Sequence, residues 1–345
     1  MPVTRNFAVA VALLTAAWTV PAEADPSFVP VYQDNFPDPF ITFHNGEFIA
    51  YSTNDGPNLP MLTSSDLVHW KRVAAADGRR IDAMPKMAPW AKPDRTWAPE
   101  VMKLGDKWLL YYTAARAKKS MQCIGVAVAT DPKGPFVDNS AEPLVCQTDE
   151  GGSIDPNPFR DADGKLYLYY KSDGNAVGKH SFIWGQRLSD DGLKLAGDAV
   201  PLLTDDQKWE WKLVEAPSMV KSPTGYQMFY SAAYYGWDYP GERLSNYATA
   251  YARCSGPLGP CKDAPENPLL HSFNDRDAGC LSGPGHPAVF QVGKQHFLAF
   301  HAWAATSGCR PLDPERYLYI APLFWKDGKP TLGPSLRERK AQERG

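Results

Sequence analysis

Three carboxylates stand in closely related settings along the chain: Phe-Pro-Asp38-Pro-Phe, Ser-Ile-Asp155-Pro-Asn-Pro-Phe and Val-Glu215-Ala-Pro-Ser-Met. Each lies next to, or one residue from, a proline and leads into a run of strand-forming residues. Carboxylates brought together repel one another when ionised, so one takes a raised pKa while its neighbours stay charged. Breaking a glycosidic bond needs that division of labour: a protonated acid donates to the leaving oxygen, and an ionised carboxylate activates water or attacks the sugar. Unpaired carboxylates are costly to bury, so three at matching positions point to function. The competing reading is that each acid caps a turn, because Asp-Pro is a common turn element.

Residues this far apart act together only if a repeat brings them together. Five segments share one template: a polar residue near a proline, an apolar strand, a Gly-bearing turn and an aromatic-rich strand. They begin near Phe36, Trp97, Asp155, Glu215 and His286, about 60 residues apart with a longer step before the fifth. Each reads as a β-hairpin. A second hairpin follows each first one, as in Met61 to Trp70 leading to a strand from Lys71. Two hairpins per repeat make a four-stranded blade, and five repeats make an all-β, five-bladed β-propeller. No long capped run of period 3.6 competes with this reading. The first strand of each blade lines the central channel. The predicted residues at one mouth are therefore Asp38, Trp97 with Glu100, Asp155, Glu215 and His286.

The three acidic blocks, with Gly-Pro-Gly-His286 and Trp97-Ala-Pro-Glu, resemble the signature blocks of glycoside hydrolase family 43 in order and spacing, over nearly the whole chain past residue 24. The family has Trp-Ala-Pro-Asp where this chain has Glu100. The resemblance implies an inverting mechanism with Asp38 as general base, Glu215 as general acid and Asp155 as the carboxylate that tunes and orients the acid. In an inverting enzyme base and acid stand about 6.5–9.5 Å apart. The resemblance also implies that His286 lies on the channel axis near a Ca²⁺ ion or a water cluster. No cofactor is required, and a structural Ca²⁺ in the channel stays open, because Ca²⁺ takes many oxygen ligands and the sequence names none. Trp97 is a candidate wall of the first sugar subsite or a core residue between blades. Arg316 is a candidate substrate-binding residue. The tract from Tyr234 to Tyr239 is a candidate outer subsite or a packing element.

The leading expectation is an exo-acting α-L-arabinofuranosidase on plant cell-wall arabinan or arabinoxylan. β-Xylosidase, endo-arabinanase and galactan-cleaving activities of the same family are alternatives, and a non-catalytic carbohydrate-binding propeller is a rival of another class. Net charge is −3 with no basic stripe, which removes nucleic acid as a partner. Arg5, an apolar run from Phe7 to Val20 and Ala22-Glu23-Ala24 read as a signal peptide cleaved after Ala24. Secretion or periplasmic export is therefore expected. One propeller over 25–345 follows, monomeric and without a membrane span. Six cysteines in an exported chain favour disulfides. Cys254–Cys261 brackets a Gly/Pro turn, and Cys123–Cys146 and Cys280–Cys309 are the remaining nearest neighbours, although 15 connectivities are open. There is no GxSxG elbow, HExxH pair or P-loop to support another chemistry.

Overall fold

Runs such as Trp108-Leu-Leu-Tyr-Tyr112 offer no polar face to water, so strands built from them must be covered on both sides. The computed structural model shows how. It describes residues 28–118, 121–236, 244–275, 279–305, 309 and 311–336. The signal peptide expected over 1–24 lies outside the described residues. Blade 1 comprises β1 (Phe40–His44), β2 (Glu47–Tyr51), β3 (Met61–Ser64) and β4 (Lys71–Arg72). Blade 2 comprises β5 (Ala91–Leu104), β6 (Lys107–Arg116) and β7 (Gln122–Ala129). Blade 3 comprises β8 (Ser153–Arg160), β9 (Leu166–Ser172), β10 (Phe182–Leu188) and β11 (Leu195–Thr204). Blade 4 comprises β12 (Val214–Ser222), β13 (Gly225–Ala232), β14 (Ala248–Cys254) and β15 (Cys261–Asp263). A hairpin of β16 (Phe273–Asp275) and β17 (Gly279–Leu281) precedes blade 5 and accounts for the longer fifth step. Blade 5 comprises β18 (Gly285–Val292), β19 (Gln295–Ala305), β20 (Pro311–Lys326) and β21 (Lys329–Leu332).

The fold is the expected five-bladed β-propeller, with one departure from four strands per blade. Blade 2 has three strands, and its outer position is filled by a Pro/Gly-rich segment that pairs with β7 only through isolated bridges, Val128–Val137 and Ile124–Val145. Prolines at 132 and 135 lack the N–H groups a longer ladder would use.

The apolar core is divided into one cluster per blade interface. On β6, Trp108, Leu110 and Tyr112 face blade 1 while Leu109 and Tyr111 face blade 3. On β9, Leu168 and Tyr170 face blade 2 while Tyr167 and Tyr169 face blade 4. Period-two alternation thus feeds two cores from one strand. Buried tyrosines also tie blades together by their hydroxyls, each donating to a carbonyl in the next blade's outer turn. Tyr51 reaches Pro132 O at 2.6 Å, Tyr111 reaches Gly192 O at 2.7 Å and Tyr169 reaches Pro257 O at 2.8 Å. Closure joins the chain's two ends: Val31 N–H donates to Leu318 O at 2.9 Å, and Val29 N–H to Ser335 Oγ at 3.1 Å. The disulfides are Cys123–Cys146, Cys254–Cys261 and Cys280–Cys309, the expected pairing.

Every blade enters its first strand through the same device. The residue before a proline takes a left-handed conformation: Asp38 (φ 54°), Ala98 (44°), Asp155 (56°), Ala216 (53°) and His286 (55°). In blades 2 to 5 this X-Pro pair opposes a single residue of the second strand, forming a bulge. The opposed residues are the buried aromatics Tyr112, Tyr170, Tyr230 and Phe300. Left-handed backbone at a non-glycine residue costs on the order of 1–3 kcal/mol and persists only where the surroundings enforce it. The surroundings here are a ring of hydrogen bonds. Each X residue donates its N–H to a side chain of the preceding blade: Ala98 to Thr53 Oγ1 (3.0 Å), Asp155 to Thr113 Oγ1 (3.1 Å), Ala216 to Asp155 Oδ2 (3.0 Å), His286 to Ser231 Oγ (2.7 Å) and Asp38 to His301 Nδ1 (3.0 Å).

Removing one acceptor should show the ring's worth. Ser231→Ala leaves the buried His286 N–H unpaired, which costs about 1–3 kcal/mol. Urea unfolding of the variant should show its midpoint lowered with an unchanged slope; an unchanged midpoint would mean the ring contributes nothing.

Candidate active site

The bulges deliver side chains to the channel mouth from two adjacent positions. Asp38, Asp155 and His286 occupy the X position itself. Glu215 and Trp97 occupy the residue before it, opposite Ser231 and Thr113. The expectation that all three acids hold one repeat position is therefore corrected by a single residue: Ala216, not Glu215, matches Asp38 and Asp155. The offset follows from proline placement, since Glu215 precedes Ala-Pro whereas the aspartates precede proline directly. Trp97 is half-buried at the same level as Glu215.

Asp38 is the most heavily partnered acid. Its Oδ1 lies 2.9 Å from Arg316 Nη1, 3.3 Å from His301 Nδ1 and 3.4 Å from His286 Nδ1, and its Oδ2 accepts the Thr53 hydroxyl at 2.5 Å. Burial alone would push this carboxyl up. The Arg316 guanidinium above all, with His286 and His301, outweighs burial and holds it well below the usual carboxylate range. Burial pushes His301 down to about 3, helped by Arg316, and lowers His286 as well. Both imidazoles are thus neutral near pH 7, and Arg316 is the cation that remains. Arg316 is itself clamped by aromatic faces, 5.3 Å from the Tyr235 ring and 5.8 Å from the Trp303 ring.

Glu215 has a partner on each oxygen. Oε2 lies 3.1 Å from Lys171 Nζ, and Oε1 accepts the Tyr247 hydroxyl at 2.8 Å. Burial, then the Glu215 charge, push the Tyr247 phenol well up, so it stays a donor. Asp155 is buried beside this pair. Burial first, the charge of Glu215 second and that of Asp38 further on raise it well above its ordinary value, against the pull of Lys171. The mouth therefore contains one carboxylate held as an anion, Asp38, and one carboxyl pushed toward its protonated form, Asp155, beside Glu215. That is the equipment for activating water at one end and protonating a leaving group at the other.

Glu100 sits deeper in the channel, with Oε2 accepting Asn157 Nδ2 at 2.7 Å, while Asn157 Oδ1 accepts the Met219 N–H at 2.9 Å. It braces blades 2, 3 and 4. As for the axial metal, the groups acting on His286 include the ring of His301, stacked at 6.1 Å, Asp38, already paired with Arg316, and Glu215, already paired with Lys171. Ca²⁺ takes six to eight oxygens, and this donor set does not fit it. Among the described residues no group of three His, Cys, Asp or Glu side chains is arranged to hold a metal.

Sequence reasoning missed Lys171, Tyr247, His301 and Thr53. One signal was present. The residue after the opposed position on each second strand reads Thr53, Thr113, Lys171, Ser231 and His301. Aligning the repeats there exposes a single lysine in a row of acceptors.

A five-bladed propeller that gathers an anchored carboxylate, a carboxyl with a raised proton affinity and a third acid at one mouth is built as a glycoside hydrolase. The sequence profile of glycosyl hydrolases family 43 matches residues 29–330, and the chain belongs to that family and hydrolyses glycosidic bonds. Among curated relatives, the extracellular endo-α-(1→5)-L-arabinanase 2 of Bacillus subtilis (strain 168) is 27% identical over 86% of this chain and 70% of its own length. A β-xylosidase of the same organism is also 27% identical, over 87% of this chain and 56% of its own length. Among solved structures, a thermostable family-43 glycoside hydrolase is similar with a TM-score of 0.73 and 29% identity, covering 88% of this chain and 94% of that one. An endo-1,4-β-xylanase from Bacteroides thetaiotaomicron is similar with a TM-score of 0.68 and 28% identity, over 90% and 99% of the two chains.

The buried acids make stability depend on pH in opposite directions. Burial raises Glu100 well above its usual value, only partly offset by the Asn157 hydrogen bond. A raised group stabilises the fold fully below its unfolded value, and that contribution is lost as pH rises through the folded value. Glu100→Gln keeps the acceptor and cannot ionise. The melting temperatures of the two proteins should therefore lie close together near pH 4, with the variant increasingly ahead as pH rises. Parallel curves across pH would contradict this account of Glu100.

Proposed function

We propose that this chain is an exported, monomeric, exo-acting α-L-arabinofuranosidase that removes arabinofuranosyl groups from arabinan or arabinoxylan with inversion. The observation that carries the proposal is the contrast between Asp38, held anionic by Arg316, and Asp155, pushed toward its protonated form beside Glu215 on the far side of the mouth. In this reading Asp38 takes a proton from water, Glu215 protonates the leaving oxygen, and Asp155 tunes and orients Glu215. Asp155 is tied down for that task by the Ala216 N–H on its Oδ2. The reaction needs no cofactor.

An exo pocket is supported by the walls of the mouth. The loop over 52–60 is laced to the loop over 73–90 and to the start of β5: Asn54 N–H donates to Thr96 O at 2.8 Å, Arg80 pairs with Asp55 at 2.8 Å, and Asn58 Nδ2 donates to Met84 O at 3.0 Å. Across the mouth, the Tyr235 ring stacks on Trp303 at 6.2 Å beside Arg316, and Tyr234 and Tyr235 are both exposed. Trp97 and Tyr235 are then the apolar faces for the sugar and the leaving group. The tract reaching Tyr239 lies partly outside the described residues. Arabinanase and arabinofuranosidase relatives support the choice of sugar. Three disulfides and extracellular relatives support export, with cleavage after Ala24.

The wild-type protein should hydrolyse 4-nitrophenyl α-L-arabinofuranoside faster than the β-D-xylopyranoside and release arabinose alone from linear arabinan. Early NMR spectra should show the β-anomer first. Asp38→Ala and Glu215→Ala should each lose about 10²–10⁴-fold in kcat on arabinan. Preference for the xyloside would transfer the assignment to β-xylosidase, oligomeric products would indicate endo cleavage, and binding without hydrolysis of any of these would sink catalysis. Tyr235→Ala should raise KM for arabinotriose by about tenfold, the worth of one aromatic contact, with little change in KM for the aryl glycoside, while a fall in kcat shared by both substrates reports the lost face on Arg316. An unchanged KM for both would remove Tyr235 from the subsite.

A further inference from the structure

Four blades place an acceptor where the second strand meets the mouth: Thr53, Thr113, Ser231 and His301 each receive the next blade's bulge N–H. Blade 3 places Lys171 there. An ammonium has three donors and no acceptor, so it cannot do what its counterparts do. It is also 1% exposed, a burial that a lysine tolerates only when paired. Its partners are Glu215 Oε2 at 3.1 Å and Asp173 Oδ1 at 3.2 Å. Burial alone would weaken its hold on the proton, but Glu215, Asp173 and Asp155 together outweigh burial and keep it charged.

Two effects follow from this exchange of an acceptor for a cation. The Ala216 N–H, denied its usual acceptor, turns to Asp155 Oδ2 and locks that carboxyl beside Glu215. Glu215, for its part, is held on one oxygen by Lys171 and on the other by Tyr247. Its orientation is fixed from both sides.

We propose that Lys171 is a positioning residue for Glu215, fixing the carboxyl and stabilising the carboxylate it becomes during the reaction. The proposal rests on Glu215 being the general acid. In that step the C1–O bond breaks and its electron pair goes to the leaving oxygen, which takes the Glu215 proton. Water adds to C1 and gives a proton to Asp38. Negative charge therefore appears on Glu215 as it vanishes from Asp38. Lys171 is the fixed cation at the first place, as Arg316 is at the second.

The test uses phenyl and 2,4-dinitrophenyl glycosides of the sugar that the wild-type protein cleaves best. Lys171→Thr gives blade 3 the acceptor that blades 1 and 2 carry, and Lys171→Met fills the same space without charge. Either should lose about 10²-fold in kcat on the phenyl glycoside, which needs full protonation, and about threefold or less on the dinitrophenyl glycoside, which does not. The basic limb of the phenyl glycoside's pH–rate profile should move to higher pH. Equal losses on both substrates, or none on the phenyl glycoside, would overturn the proposal. Glu215→Gln on the same pair separates the two ideas: wild-type rates on the phenyl glycoside in that variant would remove Glu215 as the acid, whatever Lys171 does.

Discussion

One backbone N–H per blade has no place in the strand ladders, and the molecule is organised around satisfying it. The left-handed residue before each mouth proline turns its amide sideways, toward the neighbouring blade. A buried amide without a partner is costly, so every blade must offer an acceptor to the next. The result is a closed ring of five hydrogen bonds around the mouth. The ring makes the angle between blades and the aim of the mouth side chains a single problem. Asp38, Asp155 and His286 point where they do because their own amides are tied to the blade before them.

Electrostatics builds on that frame. Three carboxylates crowd the mouth, and without countercharge burial would neutralise them all. Two cations divide them. Arg316 is fixed between Tyr235 and Trp303 and serves Asp38, while Lys171 is buried among strands and serves Glu215. Asp155 lies between, with a hydrogen bond from the backbone and, among the described residues, no cation paired with it. Neutral imidazoles and a protonated tyrosine complete the lining without adding charge. The contrast between an anionic end and a proton-holding end is thus a matter of which acid receives which partner.

Much of this was legible in the sequence. Five proline-marked hairpins with aromatic second strands specify the propeller, because period-two apolar runs buried on both faces have few other homes. The acids stand out because their types are wrong for a channel wall unless something uses them. Arg316 was visible only through resemblance, and its hold on Asp38 depends on a contact spanning 278 positions. Lys171 was hidden because a lysine after an aromatic run reads as a strand end reaching water. Tyr247 was one aromatic among many. The one-residue offset of Glu215 was readable from its Ala-Pro context, but the bulge that makes the offset matter is a backbone conformation no residue type announces. The short blade 2 was likewise obscured, since its prolines suggested a turn without saying that no strand would follow.

The apolar interior is split among blade interfaces, and one of those cores is assembled from opposite ends of the chain. Val31, Phe36, Ile41 and Trp70 share it with Ala288, Phe297, Ile320 and Leu336. Four interfaces can form in the order in which the chain emerges; this one waits for the last blade. Until then blades 1 and 5 each carry an uncovered oily face, and the ring bond from Asp38 to His301 has no acceptor. The cost of bringing such distant ends together grows only with the logarithm of the separation, but it falls due before any reward from the contact. The geometry around Asp38 is therefore among the last properties the nascent molecule acquires. A chain interrupted before its final blade has most of the architecture and none of the anchored anion.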